Sequence, residues 1–175
     1  AKTGRRFGDY TDLWRWSVDE RAAFWREAWA FCEVVGDPGG EPFLVDDRMP
    51  GARFFPSGRL NYAENLLAGA GRSGSDPNGT AVTFIREDDL RRTLSWAELT
   101  ANAYAFAAFL RANGVGPGDR VAAWLPNTPE VLVAMLGTSL VGAVFTSTSP
   151  DFGVAGVLDR FGQVEPTVLV GTDGY

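Results

Sequence analysis

Residues 94–153 constrain the fold of this chain more than any other stretch: LSWAELTANAYAFAAFLRANGVGPGDRVAAWLPNTPEVLVAMLGTSLVGAVFTSTSPDFG. Ser95, with Glu98 three residues on, has the pattern of a capping box. Leu99, Ala103, Phe106 and Leu110 follow at helical spacing, which predicts one buried stripe. Asn113 and Gly114 stop that helix, and Gly116, Pro117, Gly118 and Asp119 turn the chain. Residues 120–125 read as a strand, apolar from Val121 on, as in a strand covered on both faces. Thr128 then stands at an N-cap, with Pro129 at the first helical position and Glu130 favourable to the helix dipole. Gly142 closes this second helix. A strand over 143–147, a helix over 153–161 and a strand over 167–170 continue the alternation. Such an order specifies an α/β fold, a mostly parallel sheet with three right-handed crossover helices.

The segment before this core is of another kind. Ser17 and Glu20 form a second capping-box pattern, and Val18, Ala22, Trp25, Trp29 and Cys32 recur on one helical face. That Trp-bearing stripe fits a helix packed on a larger body better than a ligand platform, and it places Cys32 in a core. Residues 36–60 are rich in Gly and Pro and read as an extended, wrapping connection. Residues 60–67 read as a short helix with Tyr62, Leu66 and Leu67 inward. Residues 69–79, GAGRSGSDPNG, read as a flexible loop and a boundary. The expected division is an N-terminal helical extension with wrapping loops over 1–79 and the start of the α/β domain over 80–175. The latter opens with a strand at 80–86, a turn at Glu87, Asp88 and Asp89, and a return strand at 90–94.

Composition removes several functions. A net charge of −6 with scattered arginines is the wrong balance for nucleic acid. With no histidine and one cysteine, the chain cannot build a Ser-His-Asp or Cys-His centre, a His-ligated metal site or an internal disulfide. The longest apolar run, 131–145, is interrupted by Gly137, Thr138 and Ser139 and falls short of a membrane span. The first ten residues lack the apolar core of a signal peptide, so the expectation is a cytoplasmic setting.

Open parallel sheets bind ligands at the carboxyl ends of their strands. Two segments fall there. Thr146, Ser147, Thr148, Ser149, Pro150 and Asp151 offer four hydroxyls and a carboxylate ahead of a helix, suited to polar ligand contacts but also to plain capping and turn chemistry. For Asn127 and Thr128, capping alone accounts for the residues. Asp119 reads as a turn organiser. No GxGxxG or GxxxxGK[ST] pattern occurs, and the Gly/Ser stretch at 69–79 lacks the Lys and the strand–helix setting of a phosphate loop. No close carboxylate pair stands out as an acid/base couple.

Leu94 to Leu99, Gly114 to Val121, Leu125 to Asn127 with Glu130, and Leu140 to Val144 resemble the opening motifs of the adenylate-forming acyl-CoA synthetase superfamily, with Trp96 where a Tyr is usual. Tyr10 to Val18, with Phe24 and Trp25, resemble the N-terminal extension of its acetyl-CoA synthetase branch. Met49 to Phe55, Leu60 to Leu67, Ser149 to Gly153 and Val157 to Phe161 resemble the acetoacetate-activating subfamily of that branch. The resemblance implies the first part of the large domain of an AMP-forming acid:CoA ligase. Its substrates would be acetoacetate, ATP and CoA, with Mg2+. It carries one site over to this chain, CoA contact at Ser149, Pro150 and Asp151, although the Phe-Gly-Gly found there in acetyl-CoA synthetases is absent. The phosphate loop, the ribose-binding Asp and the catalytic Lys have no counterpart in residues 1–175. No catalytic residue and no metal ligand is therefore assigned here, and the ATP and Mg2+ sites are expected downstream in a longer chain. Residues 1–175 alone are expected to be inactive. An acetate or propionate ligase, or a non-catalytic binding module on the same fold, remain the alternatives.

Overall fold

The structure, a computed structural model, describes residues 4–69 and 76–174. It contains two compact units, Ala1–Leu60 and Asn61–Tyr175. The expected boundary in the 69–79 loop lies later than this division, because the short helix after Leu60 packs with the second unit; residues 70–75 of that loop lie outside the described residues.

In the first unit the helices are α1 (Tyr10–Asp19) and α2 (Arg21–Phe31). The capping box expected at Ser17 does not form. The helix starts earlier because the Asp9 side chain accepts from the Asp12 amide at 2.9 Å, and the Ser17 hydroxyl instead donates to the Trp14 carbonyl at 2.7 Å. A break at Glu20 separates the two helices and redirects the stripe, leaving Val18, Trp25 and Cys32 exposed. The buried tryptophan is Trp16, packed between Phe7 and Phe24 at ring-centroid distances of 5.3 and 5.4 Å. Two nested antiparallel ribbons occupy the wrapping segment: β1 (Gly36–Asp37) pairs with β4 (Arg59–Leu60), and β2 (Leu44–Val45) with β3 (Arg53–Phe54). Gly36 is required at the outer pair, since a Cβ there would lie 2.5 Å from the Arg59 carbonyl oxygen.

The second unit opens with α3 (Tyr62–Ala68), capped by the Asn61 side chain. Ala63 and Leu67 face the core while Tyr62 is exposed, the reverse of the inward Tyr62 expected from sequence. Asn61 also donates to the Ser139 carbonyl at 2.7 Å, which fixes α3 to the end of the helix preceding the second parallel strand. A hairpin of β5 (Thr80–Ile85) and β6 (Arg91–Ser95) follows, then α4 (Trp96–Ala112), whose Ser95–Glu98 capping box is present. In α4, Ala107 is fully buried and Phe106 is only half-buried.

The parallel sheet consists of β7 (Arg120–Trp124), β8 (Val144–Thr148) and β9 (Val168–Gly171) in the order β8-β7-β9. The crossovers are α5 (Pro129–Leu140) and α6 (Val154–Val164). Two crossovers link parallel strands rather than three, because β5 and β6 pair with each other in a hairpin of their own. Successive β7 residues serve different cores. Val121 joins the cluster of α4 and α5, whereas Ala122 joins Val157 and Phe161 of α6. The two crossover helices therefore lie on opposite faces of the sheet. Among the described residues no helix is long and apolar enough to cross a membrane.

Helices α4 and α5 meet where Gly137 faces Phe106. A Cβ at Gly137 would stand 2.7 Å from Phe106 Cδ1 and 2.9 Å from the Ala103 carbonyl oxygen. Helix propensity favours Ala over Gly by about 1 kcal/mol, but overpacking costs about 1–3 kcal/mol, and a backbone oxygen cannot step aside alone. Gly137→Ala is expected to lower the melting temperature of the intact protein by several degrees; an unchanged or higher value would refute this contact. The neighbouring Thr138 is fully buried, with no hydrogen-bond partner for its hydroxyl among the described residues. Thr138→Val, which keeps the branched shape, is expected to raise stability by about 1 kcal/mol in denaturant titration, and a loss would show that the hydroxyl has a partner.

Candidate functional site

The α5 connection leaves the carboxyl end of β7 toward one face of the sheet, and the α6 connection leaves β8 toward the other. Two adjacent parallel strands whose connections diverge in this way open a crevice between their carboxyl ends, the place where open α/β sheets bind ligands. A cleft of about 1080 Å3 lies over the same edge. Of the two segments singled out from the sequence, residues 126–128 and Asp151 line the cleft at this edge. Its lining includes Leu125, Asn127, Thr128 and Glu130 after β7, Asp151 after β8, and Thr172 and Asp173 after β9. The hairpin supplies the opposite wall through Phe84, Arg86 and Arg92.

Asp151 lines the cleft, whereas Ser149 and Pro150 are not among its lining residues. Ser149 is occupied locally: its hydroxyl donates to the Asp151 carboxylate at 2.7 Å and accepts from the Asp151 amide at 3.2 Å. Thr128 holds the N-cap position of α5, but its side chain makes no cap hydrogen bond. Capping therefore does not account for its hydroxyl. Asp119 organises its turn at the opposite end of the strands, accepting from the Gly116 amide at 2.8 Å and from the Thr167 hydroxyl at 3.3 Å.

Two of the scattered arginines, Arg86 and Arg92, line this cleft. Phe84 and Arg92 are register partners on one face of the hairpin, and both line the cleft. Arg92 reaches across to Glu130 in a forked pair, at 2.5 and 3.4 Å, and so joins the hairpin to the first turn of α5. No local pattern could have found this contact, since the two residues lie 38 positions apart. Arg86 is closed in a bidentate pair with Asp88, whose carboxyl it holds down to about 2. Hydrogen bonds from Arg92 likewise hold the Glu130 carboxyl down to about 2, with the Thr128 hydroxyl adding to the effect and partial burial opposing it. Both cleft arginines thus have carboxylate partners, and Glu87, Asp151 and Asp173 line the cleft beside them. Among the described residues no cluster of three His, Cys, Asp or Glu side chains is placed to hold a metal ion.

A carboxyl held below its ordinary value of 4.5 stabilises the fold above that value and loses the contribution as pH falls toward about 2. The Glu130 side chain is 53% exposed, so screening limits the pair. Glu130→Gln is expected to cost at most about 1 kcal/mol at neutral pH, with the gap to the parent closing as the pH is lowered from about 4.5 toward 3 in urea titrations. A gap that does not depend on pH would remove the ion pair from this account.

Comparison with known proteins gives a consistent picture. The profile of the AMP-binding enzyme family matches residues 72–174, and that of the acetyl-coenzyme A synthetase N-terminus matches residues 10–66. The acetoacetyl-coenzyme A synthetase of Rhizobium meliloti is 49% identical over 172 residues, covering 98% of this chain and 26% of that protein. The acetoacetyl-CoA synthetase of Macaca fascicularis is 37% identical over 174 residues, covering 97% and 25%. The solved structure of acetoacetyl-CoA synthetase from Streptomyces lividans superposes with a TM-score of 0.86 at 44% identity, covering 99% of this chain and 26% of that one. The chain thus spans about a quarter of the length of the relatives it matches.

Proposed function

Because this chain belongs to the AMP-binding enzyme family, we propose that it is the N-terminal part of an AMP-forming acetoacetate:CoA ligase. The observation that carries this reading is the 49% identity to an acetoacetyl-coenzyme A synthetase across 98% of the chain. No observation favours an acetate or propionate ligase, or a non-catalytic module.

The chemistry starts from a carboxylate, which is a poor acyl donor because oxide is a poor leaving group. In the proposed reaction a carboxylate oxygen of acetoacetate attacks the α-phosphorus of ATP, and pyrophosphate leaves. The CoA thiolate then attacks the acyl carbon, and AMP departs with the transferred oxygen. Within residues 1–175 the role we assign is CoA contact at Ser149, Pro150 and Asp151. The place of Asp151 in the cleft wall, directly after β8 at the carboxyl edge of the sheet, supports that role, as does the polar character of Ser149 bonded to it. The ATP site, Mg2+ and the catalytic groups are assigned to the portion the relatives have beyond this match. A cytoplasmic location is proposed on the single-cysteine composition.

Acid-dependent ATP–pyrophosphate exchange on the complete enzyme is expected to run faster with acetoacetate than with acetate or propionate, and residues 1–175 alone are expected to give none. Faster exchange with acetate or propionate would overturn the assigned substrate.

A further inference from the structure

Immediately after the 149–151 segment, Phe152 lies under a guanidinium. The Arg160 Cζ sits 3.9 Å from the Phe152 ring centroid, and its Nη1 donates to the Gly156 carbonyl at 3.1 Å. Gly156 leaves the slot in which the two meet: a Cβ there would stand 3.3 Å from Arg160 Nη1 and 3.6 Å from Phe152 Cβ and Cδ1. At its other end Phe152 is tied to the loop, its amide donating to the Ser149 carbonyl at 3.2 Å. Ser149 and Asp151 are in turn hydrogen-bonded to each other in both directions. The loop is therefore a short closed circuit anchored to α6 through one aromatic ring.

This anchor is separate from the core. The inward face of α6 is Val157 and Phe161, both buried, whereas Phe152 is 40% exposed. A guanidinium stacked on a ring resists rotation of that ring and adds a modest attraction at an exposed site. The buried core of α6 does not include it.

We propose that Arg160 and Phe152 are positioning residues, a clasp that holds the loop 149–151 in the conformation that meets CoA; this rests on the CoA contact assigned above. The clasp acts on the second half-reaction and leaves acid activation alone. The test uses the complete enzyme with Phe152→Leu, Arg160→Gln, the two combined, and Phe152→Tyr, which keeps the ring face. Three quantities are read: the CoA dissociation constant by calorimetry, amide hydrogen exchange at 149–153, and acetoacetate-dependent ATP–pyrophosphate exchange. Each single loss is expected to weaken CoA binding about two- to fivefold and to speed amide exchange in the loop. The combined variant should be no worse than either alone, Phe152→Tyr should match the parent, and pyrophosphate exchange should not change. Unaltered amide exchange in the loop, additive losses, or an equal fall in pyrophosphate exchange would each overturn the clasp. Absence of CoA binding in the unaltered enzyme would instead overturn the assigned CoA contact, with the amide-exchange comparison still deciding whether the clasp orders the loop.

Discussion

The second unit depends on β7. It is the strand to which both β8 and β9 are hydrogen-bonded, and its residues alternate between two separate cores. Val121, Ala122 and Ala123 are fully buried, so the strand must be apolar and small on both faces. That demand explains the run VAAW: two alanines let the helices on either side approach the sheet. It also sets the crevice, because helices on opposite faces require the connections from β7 and β8 to diverge at their carboxyl ends. The geometry of the candidate site thus follows from how one strand is buried.

Arginines secure the ends of these elements. At the amino end of β7, Arg120 donates to the Val164 and Glu165 carbonyls at 2.7 and 2.6 Å, tying the central strand to the C-terminus of α6. Arg111 donates to the Leu140 carbonyl at the C-terminus of α5. In both cases a cation meets the carbonyls that a helix end leaves without intrahelical partners, where the helix dipole also favours it. At the opposite edge, Arg92 meets Glu130 at the amino end of α5, with the carboxylate on the side the dipole prefers. The amino edge is closed by backbone acceptors and the carboxyl edge by a charge pair beside a cleft.

How much of this was legible in the sequence depended on the range of the signal. Elements of the second unit with local signals were readable: the Ser95–Glu98 box, Pro129 after Thr128, and the apolar run of β7 each act within a few residues. The two loops at the crevice were readable for the same reason, since the order of helix and strand fixes which loops lie at the carboxyl edge. What failed was longer in range or competed with a better local alternative. Asp9 outcompeted Ser17 as a cap, and the break at Glu20 rotated Trp25 and Cys32 out of the expected stripe. The nested ribbons of 36–60 are held by two pairs each and by aromatic contacts such as Trp29 with Phe55, which leave no periodicity to read. The contribution of the hairpin to the cleft required knowing that Arg92 meets Glu130.

We propose that CoA meets residues 1–175 at the carboxyl edge of the sheet, beside Asp151. A crystal structure of the complete enzyme with CoA bound tests it most directly. CoA atoms are expected within hydrogen-bonding distance of Ser149 or Asp151, above the carboxyl ends of β7 and β8. CoA bound elsewhere, with that segment bare, would contradict it.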